Sequence, residues 1–161
     1  MVVVADGKRN DIGSTSQAYS TAYLGQTDFS VFGKEKQASC AAIDCLTVNP
    51  YLGIDGIDPF LQDCKDLGHG IYILVKTSNP SSKQIQDKVF SDDSKVYENV
   101  ADLVNEWGQE LIGEYGYSSV GAVVGATWPE QARDLRERMP HTFFLVPGYG
   151  AQGGSGESVS V

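Results

Sequence analysis

Five short, nearly continuous apolar runs, Val2–Ala5, Cys45–Val48, Ile71–Val75, Val120–Ala126 and Thr142–Val146, constrain the fold more than any other feature of the chain. β-Branched or aromatic residues dominate most of them, so they read as strands buried on both faces, as in a parallel sheet. Between them lie stretches with helical spacing. The clearest places Val96, Val100, Leu103, Val104, Trp107 and Leu111 on one apolar stripe of a helix closing near Gly116. Ser14-Thr15-Ser16-Gln17 and Thr127-Trp128-Pro129-Glu130 carry a capping-box pattern and predict two further helix starts. Strand and helix alternate, and the class is α/β. The polar residues able to do chemistry follow the strands, at Asp6 to Asp11, Asn49 to Tyr51, Lys76 to Pro80, Thr127 and Pro147 to Gly154. That is the carboxyl rim, where α/β folds place their sites.

Composition narrows the function classes. The chain has 161 residues, 41% hydrophobic and 20% charged, which suits one globular domain with a buried core. A net charge of -9 argues against nucleic acid as a partner, because that affinity comes mainly from basic residues. A phosphorylated small molecule stays possible, since one or two Lys or backbone N–H groups can hold it. Cys40, Cys45 and Cys64 lack C-x-x-C spacing, so they read as neutral thiols of a cytosolic protein. No apolar run approaches the ~18 to 20 residues that cross a bilayer. The chain is therefore read as cytoplasmic, with no membrane partner. His69 and His141 are solitary, so no metal site is expected. No G-x-S-x-G elbow is present for a nucleophilic Ser. Trp107 is expected in the core and Trp128 in packing or at the rim.

Asp6-Gly7-Lys8 carries the most suggestive chemistry. The alternation of a strand points Asp6 and Lys8 to one side and leaves Asp11 in the following loop. A Lys kept charged by carboxylates can protonate carbon, and a nearby Asp can repel a departing substrate carboxylate. Taken alone, D-x-K equally describes a solvated loop with ordinary ion pairs. The longer string from Ala5 to Thr15, ADGKRNDIGST, resembles the D-x-K-x-x-D-I-x-x-T signature of orotidine 5'-monophosphate decarboxylases. The resemblance continues through Thr47-Val48-Asn49-Pro50-Tyr51-Leu52-Gly53, the segment Val75 to Ser82, the segment Val120 to Thr127, and the segment Leu145 to Gly154. These strings are similar to the type-2 branch of the family and span Val2 to Gly154.

The resemblance implies a (β/α)8 TIM barrel, which needs about eight strands, here incomplete with about five βα units. Residues 1–154 would form this partial barrel domain and residues 155–161 a flexible or non-native tail. It also implies decarboxylation of orotidine 5'-monophosphate to UMP in pyrimidine biosynthesis, with neither metal nor organic cofactor. Lys8 would be the proton donor to C6 and Asp6 the carboxylate facing the leaving group. Asp11, Ile12 and Thr15 would reach into a second subunit, so a homodimer is expected with Asp11 shared across its interface. Ser78 would read the pyrimidine edge, and Gln152 would lie in a loop closing over base and phosphate. The family also uses a Lys on the strand before D-x-K and a phosphate-binding Arg on its last strand. No Lys precedes Asp6 here and no Arg follows Arg138. Truncation at both ends is therefore expected, together with open sheet edges and poor stability in isolation. Two alternatives remain. One is a magnesium-dependent sugar-phosphate decarboxylase of the same superfamily, against which the Ser78 and Gln152 matches argue. The other is a non-catalytic remnant that binds a nucleotide or serves as a dimerising scaffold.

Overall fold

Each apolar run read as a strand overlaps one in the computed structural model of the chain, which describes residues 1–30, 33, 37–41, 43–127, 129–150 and 156. The chain forms two units, Met1–Ile71 and Tyr72–Val161. In the first, strand β1 (Val4–Arg9) leads to helix α1 (Gly13–Tyr23), then to short strands β2 (Thr27–Asp28) and β3 (Gln37–Ala38), strand β4 (Cys45–Val48) and helix α2 (Ile54–Leu67). β1 and β4 are parallel, with Val4 opposite Cys45 and Ala5 opposite Leu46, and the register shifts before Arg9 meets Val48. The strand thus lies two residues later than the run Val2–Ala5 predicts. Val2 and Val3 precede the strand, and Asp6 and Lys8 lie within it. The antiparallel β2–β3 pair had no recognisable pattern, because two residues per strand are too few for alternation to show.

Helix α2 buries Ile57, Phe60 and Cys64 on one face and ends at Gly68, whose left-handed backbone lets its N–H reach Cys64 O. Burial of that face pushes the Cys64 thiol up to about 12, so it is neutral at physiological pH. Helix α1 has no apolar stripe to offer α2. Its buried residues are Ser16 and Ser20, and these join the helices by hydrogen bonds. Ser16 Oγ donates to Gly56 O at 3.0 Å, and Ser20 Oγ lies 2.5 Å from Asp63 Oδ2. The capping box expected at Ser14 does not form. Extended Ile12 is the N-cap and makes no side-chain cap bond, so Ser14 is already helical and its hydroxyl is past the capping position.

The second unit begins within strand β5 (Gly70–Lys76) and continues through helix α3 (Val96–Gly108), strand β6 (Ser118–Val124), helix α4 (Pro129–Arg138) and strand β7 (Thr142–Leu145). β6 lies between β5 and β7 and pairs parallel with β7, Ala122 opposite Phe144. Its core includes Ile73, Val75, Val104, Val120, Leu135 and Met139, each 2% exposed or less. Each such side chain stabilises by roughly 1.5–3 kcal/mol relative to exposure.

Helix α3 corrects the predicted stripe. Its buried residues are Tyr97, Ala101, Val104 and Gly108, while Leu103 is 41% exposed and Trp107 only half-buried. Close packing explains the rotation: a Cβ on Gly108 would sit 2.8 Å from Ser118 Oγ, so the small residues face β6. The helix also stops at Gly108 and a short 3-10 turn, Gln109–Leu111, before Gly116. Helix α4 does start near Thr127, with Pro129 as its first residue. Trp128, and residues 155–161 except Gly156, lie outside the described residues. No helix among the described residues is long and apolar enough to cross a membrane.

Candidate active site

The register shift in β1 builds the first cluster. Between Ala5 and Arg9 the ladder with β4 is interrupted, and Lys8 takes a left-handed backbone with φ 45°. Such a conformation costs a non-glycine residue about 1–3 kcal/mol and persists only where neighbours enforce it. Here the neighbour is Thr47, buried on β4, whose hydroxyl accepts the Lys8 N–H at 3.0 Å. The same hydroxyl donates to Asp6 Oδ1 at 2.9 Å, and the Lys8 ammonium donates to that oxygen at 2.5 Å. The Asp6 and Lys8 side chains therefore do meet, as the D-x-K spacing predicts, although Lys8 departs from extended backbone.

Their side chains remain open to solvent, 67% exposed for Asp6 and 50% for Lys8. The Lys8 hydrogen bond, and then that of Thr47, hold the Asp6 carboxyl below its ordinary 3.8. A depressed folded value means that the pair's stabilisation is present above 3.8 and is lost as pH falls through the lower folded value. Exposure keeps that contribution small. Chemically, the arrangement offers a charged ammonium held beside an ionised carboxylate, both reachable from outside.

Asp11, Ile12 and Thr15 lie beyond this cluster. Asp11 Oδ1 accepts the Ile12 N–H at 2.9 Å, a local bond that shapes the entry to α1. Ile12 is 52% exposed and, with Gly13, Ile54, Asp55, Asp58 and Pro59, lines a groove of about 540 Å³. Thr15 is exposed in the first turn of α1.

Ser78 follows β5 in the second unit and sits in a tightly specified seat. Thr127 Oγ1 donates to Ser78 O at 3.2 Å, and a Cβ on Gly125 would fall 2.8 Å from Ser78 Cα. The Gln86 side chain closes on Thr77 from the other side, accepting its N–H at 3.0 Å and donating to Oγ1 at 2.9 Å. Next along the loop, Asp87 accepts from the fully buried Lys76 ammonium at 2.6 Å. Gly125→Ala is expected to push the Ser78 backbone aside and to destabilise by about 1–3 kcal/mol, as overpacking does. Urea unfolding, with the Ser78 amide shift as local reporter, checks this.

Thr47, Gln86 and Asp87 were not singled out from sequence. Thr47 stands in a string that carries the family resemblance and is a hydroxyl inside an apolar strand, but neither signal assigns it a role; Gln86 and Asp87 give none, because their partners are nine and eleven residues away. Gln152 lies outside the described residues.

Comparison with known proteins decides the family. The model described as orotidine 5'-phosphate decarboxylase / HUMPS family matches residues 1–160. The chain belongs to this family. Among its curated relatives, the orotidine 5'-phosphate decarboxylase of Caldicellulosiruptor bescii is 54% identical over 159 residues, 99% of this chain and 50% of that protein. The Rhodopirellula baltica enzyme of the same name is 49% identical with the same coverage. This decarboxylase-family chain thus spans about half the length of the curated relatives it matches. Among solved structures, Leishmania donovani UMP synthase aligns with a TM-score of 0.74 and 34% identity, covering 98% of this chain and 30% of that one. Leishmania donovani OMP decarboxylase aligns with a TM-score of 0.70 and 32% identity, covering 93% of this chain and 50% of that one. The family's solved structures are TIM barrels, the class expected from sequence, and the described residues of this chain include a five-stranded sheet of that α/β class.

Proposed function

We propose that this chain is part of a decarboxylase that converts orotidine 5'-monophosphate to UMP and carbon dioxide in pyrimidine biosynthesis. The observation that carries the reading is the Lys8–Asp6 pair, held by Thr47 at a strained point of β1. Asp6, kept ionised by its neighbours, faces the substrate carboxylate and favours its departure. Lys8, held against Asp6, delivers its proton to C6 as carbon dioxide leaves. Catalysis is by electrostatics and positioning, with no metal or organic cofactor.

Ser78 is assigned the pyrimidine edge and Gln152 the closing loop, both from the family motif. Asp11, Ile12 and Thr15 are assigned to a homodimer, in which Asp11 serves the second subunit's site. An exposed Ile12 beside exposed Ile54 supports a surface that association would cover. The enzyme works in the cytoplasm. The family network also includes a further Lys and a phosphate-binding Arg. This chain has no Lys before Asp6 and no Arg after Arg138.

The test is turnover of orotidine 5'-monophosphate by this chain and by a version extended to the length of its relatives. Release of carbon dioxide with formation of UMP is expected from the extended protein without added metal. Decarboxylation of a keto-gulonate phosphate with magnesium, and none of the nucleotide, would overturn the reading.

A further inference from the structure

We propose that Thr47 is a positioning residue of this site, its buried hydroxyl holding the Lys8 backbone and the Asp6 carboxylate in a single arrangement. The inference rests on reading Asp6 and Lys8 as the reacting pair, and it adds a buried residue that acts through both of them.

Thr47 stands on β4 between Leu46 and Val48, and all three are buried. A strand between such neighbours calls for another apolar side chain, and a hydroxyl there must be satisfied. Thr47 uses its hydroxyl both ways, accepting from Lys8 N–H at 3.0 Å and donating to Asp6 Oδ1 at 2.9 Å. The bond to Lys8 falls where the β1–β4 ladder lapses, between Ala5 and Arg9. A backbone N–H there needs a side-chain partner in place of the missing ladder bond. That bond secures Lys8 at φ 45°, a conformation its own Cβ disfavours. Without it the strained residue is free to relax, and the ammonium is no longer held at one distance and angle from Asp6. The second bond anchors the carboxylate oxygen that also receives the ammonium. One hydroxyl therefore orients both members of the pair.

Valine fills nearly the same volume and makes neither bond, while serine keeps both. In Thr47→Val the Lys8 amide is expected to exchange with solvent about tenfold faster, as loss of one hydrogen bond predicts. Asp6, followed by carboxyl carbon NMR, is expected to titrate at higher pH than in the unmodified chain. Lys8 is the charged group facing it from β1, and Thr47 on β4 is neutral, so Lys8→Met isolates the hydroxyl's part. In Lys8→Met the Asp6 carboxyl still titrates below 3.8 if Thr47 donates to it. That measurement holds even where Thr47→Val fails to fold. In whichever length of chain turns over orotidine 5'-monophosphate, Thr47→Val is expected to lower kcat by about 10²-fold, the scale of a small misplacement. KM should stay within about twofold, since no uniform binding is removed. Thr47→Ser is expected to restore all three readouts. Unchanged Lys8 exchange and Asp6 titration in Thr47→Val, or an ordinary Asp6 titration in Lys8→Met, would overturn the proposal. Absence of turnover in every length of chain would defeat the decarboxylase reading alone, because exchange and titration still decide the role of Thr47.

Discussion

Lys8→Ala is expected to lower kcat/KM for orotidine 5'-monophosphate by at least about 10²- to 10⁴-fold, the contribution of a positioned proton donor. If the ammonium acts only as the transition state forms, kcat and kcat/KM fall together. The change should leave folding almost untouched. The Lys8–Asp6 pair is open to solvent on both sides, and exposed pairs contribute about 0–1 kcal/mol. Alanine also keeps a Cβ at φ 45°, so no new backbone strain enters. Steady-state kinetics beside a urea melt separate the two effects. A variant that keeps its turnover removes Lys8 from the chemistry, and one that loses its fold makes Lys8 structural.

The second large effect is expected far from any proton transfer. Asp87→Ala removes the carboxylate 2.6 Å from the Lys76 ammonium, whose side chain is 0% exposed. Taking away one partner of a buried pair destabilises by up to about 3–5 kcal/mol, because the ammonium loses a charged hydrogen bond that water cannot replace. The ring of Tyr97 stays 5.3 Å from the ammonium in the variant and softens the loss. The double variant Lys76→Met, Asp87→Leu removes both charges and is expected to recover most of the loss. Urea midpoints of the two variants measure the difference. Equal destabilisation by both would mean that shape, not charge, holds this loop. Because Gln86, next to Asp87, clasps Thr77 ahead of Ser78, the single variant should also broaden the Ser78 amide resonance.

The two predictions differ in how visible their residues were. Lys8 could be found because strand alternation is local: residues two apart share a side in any strand, so D-x-K announced its geometry without knowledge of β4. The apolar runs were visible for the same reason, since a strand buried on both faces must be apolar along its length. The D-x-K-x-x-D string and its companions along the chain likewise placed the family before any fold was in hand. Helix α3 shows where this stops. Its apolar residues were plain, but which of them faces the sheet depended on Gly108 meeting Ser118, ten residues on.

The order of amino acids thus set the α/β alternation, the pairing of Asp6 with Lys8 and the family, all of which follow from short-range periodicity and motif spacing. Tertiary contacts alone decided the left-handed turn at Lys8, the double use of the Thr47 hydroxyl and the seat of Ser78. Each of these joins residues well separated in the chain, Lys8 to Thr47 and Ser78 to Thr127. Hydrogen bonds of that kind leave no period in the sequence, because what defines them is the approach of two segments of backbone.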